Sequence, residues 1–296
     1  MRITKSFAET RSVVSGTVGL VPTMGFLHEG HLSLIEAARR SCDTVVMSLF
    51  VNPLQFDRED DLVRYPRNAE RDVDLATAAG ADVVFAPEVD EMYPNEQLTR
   101  VNVGQLSDEL EGPNRPGHFE GVATVVAKLL AGIQPDRSFF GRKDAQQLAI
   151  VRRMSRDLSM PGEIVGVPIV READGLALSS RNVFLSDDER QAALALSRGL
   201  LRAADLVAEG ERVAGELAGV VHDEVGDSLE VEYVSLAGQD LVQPLKVLDR
   251  PAFLALAAWS GKTRLIDNVH FDGDTFIADR GIRLTERSVL YGTGEI

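Results

Sequence analysis

"VPTMGFLHEGHLSLI", residues 21–35, decides how the rest of the chain is read. It continues a short apolar run, VGLVP at 18–22, that reads as a buried strand. The run ends at Thr23–Met24 and Gly25 supplies a turn. From near Gly30 the apolar residues of GHLSLIEAARRS (30–41) fall at helical spacing. A strand, a tight turn and a helix N-terminus therefore surround His28 and His31, with Glu29 and Gly30 between them.

Three chemistries suit such a pair. Two histidines can cap a helix start through local hydrogen bonds. They can ligate a metal, but in the zinc-protease pattern H-E-x-x-H the ligands stand four apart with the glutamate as base. Here the spacing is shorter and no third ligand follows nearby, which disfavours metal. The third chemistry is phosphate binding. A helix N-terminus presents N–H groups and the positive end of its dipole. Imidazoles there donate hydrogen bonds to phosphate oxygens, and need not take a proton from anything, because their value lies in stabilising charge that grows in a transition state. Gly30 then leaves room for a nucleotide close to the backbone. The strand–turn–helix setting favours phosphate.

Working outward, DTVVMSLFVN (43–52), ADVVFAP (81–87), DRSFFG (136–141) and GEIVGVPIV (162–170) read as further strands. NAERDVDLATAAG (68–80), HFEGVATVVAKLLAGI (118–133) and DAQQLAIVRRMSRDL (144–158) read as helices between them. Near-continuous apolar strands alternating with helices predict a parallel sheet covered on both faces, whose ligands bind beyond the carboxyl ends of the strands. The pattern changes after about residue 170. READGLALSSRN (171–182) is turn-rich, and 186–210 is a helix whose Ser186 and Glu189 have capping-box spacing. A second helix over 211–226 and strands near 229–236, 252–258 and 263–269 complete an α+β segment. The expected organisation is a first domain over 1–169 and a second over 170–296, with no internal repeat.

The chain has 296 residues and a formal net charge of −15. That charge opposes binding to nucleic-acid backbones, which requires clustered Lys and Arg, but leaves room for a small phosphate ligand in a locally basic pocket. No run approaches a membrane span, and MRITKSFAET lacks the apolar stretch of a secretory signal. The single cysteine, Cys42, fits a reducing cytoplasm and reads as a small buried side chain rather than a nucleophile.

The words VPTMGFLHEGH, SLFVNPLQF, YPR, RPGHFEGV, FFGRKDAQQ and READGLALSSRN occur in this order between about residues 18 and 182. Together they resemble the pantothenate synthetase (pantoate–β-alanine ligase) family of the H-x-G-H nucleotidyltransferase superfamily, over residues 18 to about 268. The resemblance implies a Rossmann-like doubly wound parallel sheet with a smaller C-terminal α+β lid domain, and a homodimer. It implies ATP-dependent condensation of pantoate with β-alanine through a pantoyl-adenylate, with Mg²⁺, releasing AMP and pyrophosphate. A carboxylate is a poor electrophile, and adenylation gives it a leaving group. No protein nucleophile is then required, and catalysis is positioning and charge stabilisation.

By the same resemblance, His28 and His31 hold ATP phosphates and stabilise charge at the α-phosphorus. Pro22, Thr23 and Met24 line the strand end, with Met24 touching both substrates and Gly30 close to the nucleotide. Gln55 and Gln147 bind pantoate through their amides, with Asn52 nearby; an amide both donates and accepts, which suits hydroxyls and a carboxylate. Gly141 lets the backbone approach the nucleotide, Lys143 contacts phosphate, and Asp144 faces the ribose or the metal region. Val170 and Leu178 border the ATP site. Ser179, Ser180 and Arg181 clamp phosphates, a task that suits the forked guanidinium. The metal ligands are unknown at this stage. The rival readings are another H-x-G-H adenylyltransferase and a non-catalytic nucleotide-binding regulator.

Read without the resemblance, several of these residues are ordinary. Lys143–Asp144 is an exposed helix start, Gln146–Gln147 is solvated, and Ser179–Arg181 is a polar turn. His118 is a structural histidine at a helix start or part of the active-site wall. Asp72 is a surface carboxylate complementing a helix dipole, or it organises the nucleotide or metal region; Tyr65 is equally open. His222 and His270 have no motif around them. Leu54 and Leu178 stand where the family commonly has Met, and both swaps nearly conserve volume. The stretch 270–296 continues past the resemblance as an extra strand or a packed tail of unassigned role.

Overall fold

The computed structural model describes residues 1–56, 62–63 and 65–292. The last four residues of the stretch 270–296 lie outside the described residues. The chain divides into two compact units. The first comprises Met1–Leu27, His31–Gly141 and Gln147–Val167, and the second His28–Gly30, Arg142–Gln146 and Pro168 onward. A single cut point cannot express this division, because two short turns inside the first half of the sequence group with the second half.

The first unit runs β1 (Arg2–Thr4), α1 (Phe7–Val13), β2 (Val18–Thr23), α2 (Glu29–Arg39), β3 (Thr44–Leu49), α3 (Ala69–Ala79), β4 (Val83–Phe85), α4 (Val89–Met92), α5 (His118–Ile133), β5 (Arg137–Gly141), α6 (Ala145–Asp157) and β6 (Glu163–Val167). Its six strands are all parallel, in the order β1-β4-β3-β2-β5-β6. β2 and β3 are buried over most of their length, as their β-branched and apolar composition predicts. α5 is apolar nearly all round and accordingly buried nearly all round. The strand order runs outward from β2 on one side and from β5 on the other. In open parallel sheets the carboxyl ends of such an adjacent pair are where ligands generally bind. The H-x-G-H turn follows β2 and the G-R-K-D turn follows β5.

The second unit contains β7 (Val170–Arg171), α7 (Asp187–Ala208), α8 (Ala214–Val225), β8 (Glu230–Gly238), β9 (Ala252–Ser260), β10 (Thr263–Asp272), β11 (Ile277–Asp279) and β12 (Ile282–Arg283). Four strands form an antiparallel sheet in the order β11-β10-β9-β8. Leu196 and Leu200 of α7, Leu217 and Val221 of α8, and Leu254, Leu256 and Phe271 of the sheet share its core. α7 begins with the capping box its sequence announces: Ser186 accepts from the Glu189 N–H, and the Glu189 carboxylate accepts from the Ser186 N–H.

Two sequence expectations change here. GEIVGVPIV is not one strand: β6 stops at Val167, before Pro168, which has no N–H for a ladder. Val170–Arg171 instead pairs in parallel with β12, in the register Ile282↔Val170 and Arg283↔Arg171. The stretch after residue 270 therefore completes β10 and adds two further strands. Arg171 anchors this corner. Its guanidinium donates to Asp267 at 2.7 and 3.1 Å, with both side chains only 3% exposed. It also donates to the Arg280 carbonyl at 2.9 Å.

Candidate active site

In the first unit the turn after β2 is built by Asp72 from α3. Its carboxylate accepts the N–H of Phe26 at 2.8 Å and of Leu27 at 2.7 Å, and the side chain is 1% exposed. The expectation of a surface carboxylate is thus corrected: Asp72 is buried because two backbone donors replace its water. Gly25 makes this possible. It has φ +88°, and a Cβ there would lie 2.8 Å from Asp72 Oδ2 and from Leu49. Thr23 closes the strand end, its hydroxyl donating to the Ser48 carbonyl at 2.7 Å and accepting from the Gly25 N–H at 3.3 Å. Pro22 and Met24 are half-buried beside it, and His31 is half-buried on the first turn of α2.

The buried Asn52 and Gln55 form one cluster with the half-buried Met24. Asn52 Nδ2 donates to Gln55 Oε1 at 3.1 Å and to the Gly121 carbonyl at 3.1 Å, while Gln55 Nε2 donates to Met24 Sδ at 2.9 Å. Asn52 Oδ1 accepts the Tyr93 hydroxyl at 2.8 Å. Asn52 therefore spends both ends of its amide on the protein and acts on Gln55 rather than outward. Gly121 has to be glycine, since a Cβ would lie 2.2 Å from the Leu54 carbonyl oxygen. His118, buried at the start of α5, donates from Nδ1 to the Gln55 carbonyl at 2.8 Å. It is a structural histidine that holds the residue expected to read the substrate. Gln147 is half-buried on α6; Gln146 is buried, contrary to the solvated reading of this pair.

In the second unit, the Gly30 N–H donates to His28 Nδ1 at 3.1 Å. That fixes the tautomer: Nδ1 is an acceptor, so the proton sits on Nε2. The space above Gly30 is occupied by the His28 ring itself, because a Cβ at Gly30 would lie 2.8 Å from its Cε1 and 2.9 Å from Nδ1. The glycine thus makes room for the His28 ring.

The turn Arg142–Asp144 is fastened from β10. Asn268 Nδ2 donates to the carbonyls of Arg142 at 3.1 Å and Lys143 at 2.7 Å, and His270 Nε2 donates to the Arg142 carbonyl at 3.1 Å. Arg142 pairs with Asp272 and, at 3.2 Å, with Asp279. The backbone and the first cation are thereby committed. The half-buried Lys143 side chain has no hydrogen bond or ion pair among the described residues. Burial and the Arg142 charge push the His270 pKa down to about 4. Asn268 and His270 lacked any sequence motif, and only the fold reveals their role. Gly141 has nothing within 4 Å of where a Cβ would sit, and Asp144 is exposed.

The S-S-R-N turn forms a short 3₁₀ helix, Ser180–Phe184, capped by Ser179, whose hydroxyl accepts the Arg181 N–H at 3.3 Å. Ser179 is buried, Ser180 half-buried and Arg181 exposed. Asn182 secures the turn from behind, donating to Glu172 Oε1 at 2.6 Å and the Ala177 carbonyl at 3.1 Å. Val170 and Leu178 are buried, and the Leu178 N–H donates to the Val170 carbonyl at 2.9 Å. Among the described residues no group of three or more His, Cys, Asp or Glu is placed to hold a metal ion. No described helix is long and apolar enough to cross a membrane.

A parallel sheet with motif-bearing turns after β2, β3 and β5 and a separate antiparallel sheet defines the class of protein: a mixed α/β fold. The family model for pantoate-beta-alanine ligase matches residues 2–270. A pantothenate synthetase of Heliobacterium modesticaldum is 53% identical over 255 residues, 86% of this chain and 91% of that protein. One from Moorella thermoacetica is 49% identical over 277 residues, 91% of this chain and 98% of that protein. The crystal structure of pantothenate synthetase from Thermus thermophilus has a TM-score of 0.85 at 46% identity, covering 93% of this chain and all of that one. The pantoate-beta-alanine ligase of Francisella tularensis, complexed with beta-gamma ATP and beta-alanine, has a TM-score of 0.71 at 31% identity, covering 90% and 97%. The chain belongs to the pantoate-beta-alanine ligase family.

Proposed function

We propose that the chain condenses pantoate with β-alanine using ATP, in two steps. A pantoate carboxylate oxygen attacks the α-phosphorus, forming pantoyl-adenylate and releasing pyrophosphate. The uncharged amine of β-alanine then attacks the acyl carbon, its proton is lost, and AMP leaves. The reading rests on the family, on the beta-gamma ATP and beta-alanine carried by the Francisella tularensis relative, and above all on the His28 tautomer. An imidazole whose Nδ1 accepts the Gly30 N–H carries its proton on Nε2, which makes that nitrogen a donor rather than a base. Such a group suits charge growing on phosphate oxygens rather than proton abstraction.

The roles follow from the chemistry of each group. His28 and His31 donate to phosphate oxygens. Lys143 and Arg181, neither paired with a carboxylate among the described residues, neutralise phosphate charge, and Ser179 and Ser180 add hydroxyl donors. Gly141 leaves open space for the nucleotide, with Pro22, Thr23, Asp144, Val170 and Leu178 bordering it. Gln55 and Gln147 read pantoate, with Met24 between the substrates and Asn52 setting the Gln55 amide. Mg²⁺ enters as part of the nucleotide substrate, since it binds through phosphates with few protein carboxylates. The protein works as a cytoplasmic homodimer in this reading.

Exchange of labelled pyrophosphate into ATP, measured without β-alanine, tests the reading. Exchange that requires pantoate and vanishes in His28→Ala supports it. Exchange indifferent to pantoate indicates another adenylyltransferase, and ATP binding with neither exchange nor pantothenate formation indicates a regulator.

A further inference from the structure

The stretch Ser288–Tyr291 lies beyond the last residue that the family model matches, yet it reaches the two turns on which the proposed chemistry depends. Residues 285–287 are exposed, whereas Ser288 and Leu290 are buried. Ser288 Oγ donates to Glu29 Oε2 at 2.6 Å, and the Val289 N–H donates to Glu29 Oε1 at 2.7 Å. Both oxygens of the carboxylate inside H-x-G-H are thus clamped. The Ser288 hydroxyl also accepts the Leu290 N–H at 3.2 Å, which fixes its rotamer. Three residues on, the Tyr291 hydroxyl donates to Glu172 Oε1 at 2.9 Å and accepts from Arg190 at 2.7 Å. The same Glu172 oxygen receives Asn182, the residue immediately after Ser179-Ser180-Arg181. Burial, with the Glu172 charge, pushes the Tyr291 pKa up to about 12, so the hydroxyl stays a donor.

Glu29 is the first residue of α2, where a carboxylate is drawn to the helix's own N-terminal donors and competes with a phosphate for them. Two donors from elsewhere remove that competition. They also fix the Glu29–Gly30 peptide, whose N–H orients His28. We propose that Ser288–Tyr291 is a positioning strap for ATP binding: through Glu29 it sets the His28–Gly30 turn, and through Glu172 and Asn182 it sets the Ser179–Arg181 turn. The proposal rests on the reading of those turns as phosphate-binding.

The test compares the full chain with Ser288→Ala, Ser288→Thr, Tyr291→Phe and, as a control on the site, His31→Ala. It measures pantoate-dependent pyrophosphate exchange, KM for ATP, KM for pantoate and Tm. Ser288→Ala is expected to raise KM for ATP about 10-fold, the equivalent of one hydrogen bond to a charged group. KM for pantoate stays within about 2-fold, Ser288→Thr restores the ATP value, and Tyr291→Phe raises it about 3-fold, as for a bond to a shared acceptor. An unchanged KM for ATP in Ser288→Ala, or an equal rise in both KM values, overturns the strap. If Ser288→Ala lowers Tm enough to obscure kinetics, an unchanged ATP KM in Tyr291→Phe overturns it instead. If His31→Ala leaves exchange intact, the phosphate reading falls and the strap with it. If His31→Ala abolishes exchange while the strap variants keep wild-type KM values, only the strap falls.

Discussion

Asp72 accepts the Leu27 N–H at 2.7 Å across 45 residues of sequence, and Leu27 is the residue directly before His28. The carboxylate and its second donor, Phe26, make the turn after β2 a rigid object. Replacing Asp72 by Ala leaves two buried N–H groups without an acceptor, at a cost of about 2–4 kcal/mol. Urea unfolding checks the stability loss, and pyrophosphate exchange should fall with it. Asp72→Asn, which keeps one acceptor oxygen, is expected to lie between wild type and Asp72→Ala in both measurements.

Gly30→Ala separates stability from activity. Its backbone is an ordinary helical one, and Ala is favoured over Gly in helices by up to about 1 kcal/mol. Tm is therefore expected to hold or rise. The new methyl, however, would lie 2.8–2.9 Å from the His28 ring and push it aside. Exchange should drop about 100-fold, the scale of losing one transition-state donor. A variant with raised Tm and undiminished exchange would remove His28 from the proposed role.

The pH dependence of stability has a predictable component at His270. Its pKa is lowered from 6.5 to about 4 by burial and then by Arg142, with Asp272 and Asp279 acting weakly in the opposite direction. Its Nδ1 is buried without a hydrogen-bond partner among the described residues, so a proton there meets no acceptor among them. As pH falls below about 6.5 the unfolded chain gains a proton that the folded chain refuses until about 4. This contribution is whole above the upper value and lost on descending to the lower one. His270→Gln should flatten the acid limb in that window when urea midpoints are plotted against pH.

Arg171 and Asp267 make a bidentate pair that is almost wholly buried. Arg171→Ala strands a carboxylate in the interior, with an expected loss of about 3–5 kcal/mol. The double variant Arg171→Met, Asp267→Leu removes the stranded charge and should recover most of that loss. Recovery measured by chemical denaturation checks that the damage lies in the unpaired charge rather than in lost packing.

The sequence was most informative where structure is local. Helix α5 spans His118–Ile133, the stretch its apolar content marks out, and the Ser186–Glu189 cap needs only four consecutive residues. The turn after β2 declared itself through Gly25 and the two histidines. What stayed hidden depends on partners distant in sequence. Asp72 has the composition of a surface helix start, and only the turn packed on it, 45 residues earlier, makes it an interior residue. Asn268 lies in the strand expected at 263–269 and His270 one residue past it, while both bond carbonyls more than a hundred residues away. β1, β11 and β12, each two or three residues long, are too short to show a period and exist because a neighbouring strand offers an edge.

The clamp on Glu29 comes from residues 259 and 260 positions later in the chain. During synthesis, chains fold from the N-terminus forward as units become complete. The parallel sheet has all its strands once Val167 has been made. The histidine turn must wait for Ser288 and Val289, and the G-R-K-D turn for Asn268 and His270. A nascent chain halfway off the ribosome thus owns a finished scaffold but not a finished site. The two turns are thus the last parts of this scaffold to meet the residues that fasten them.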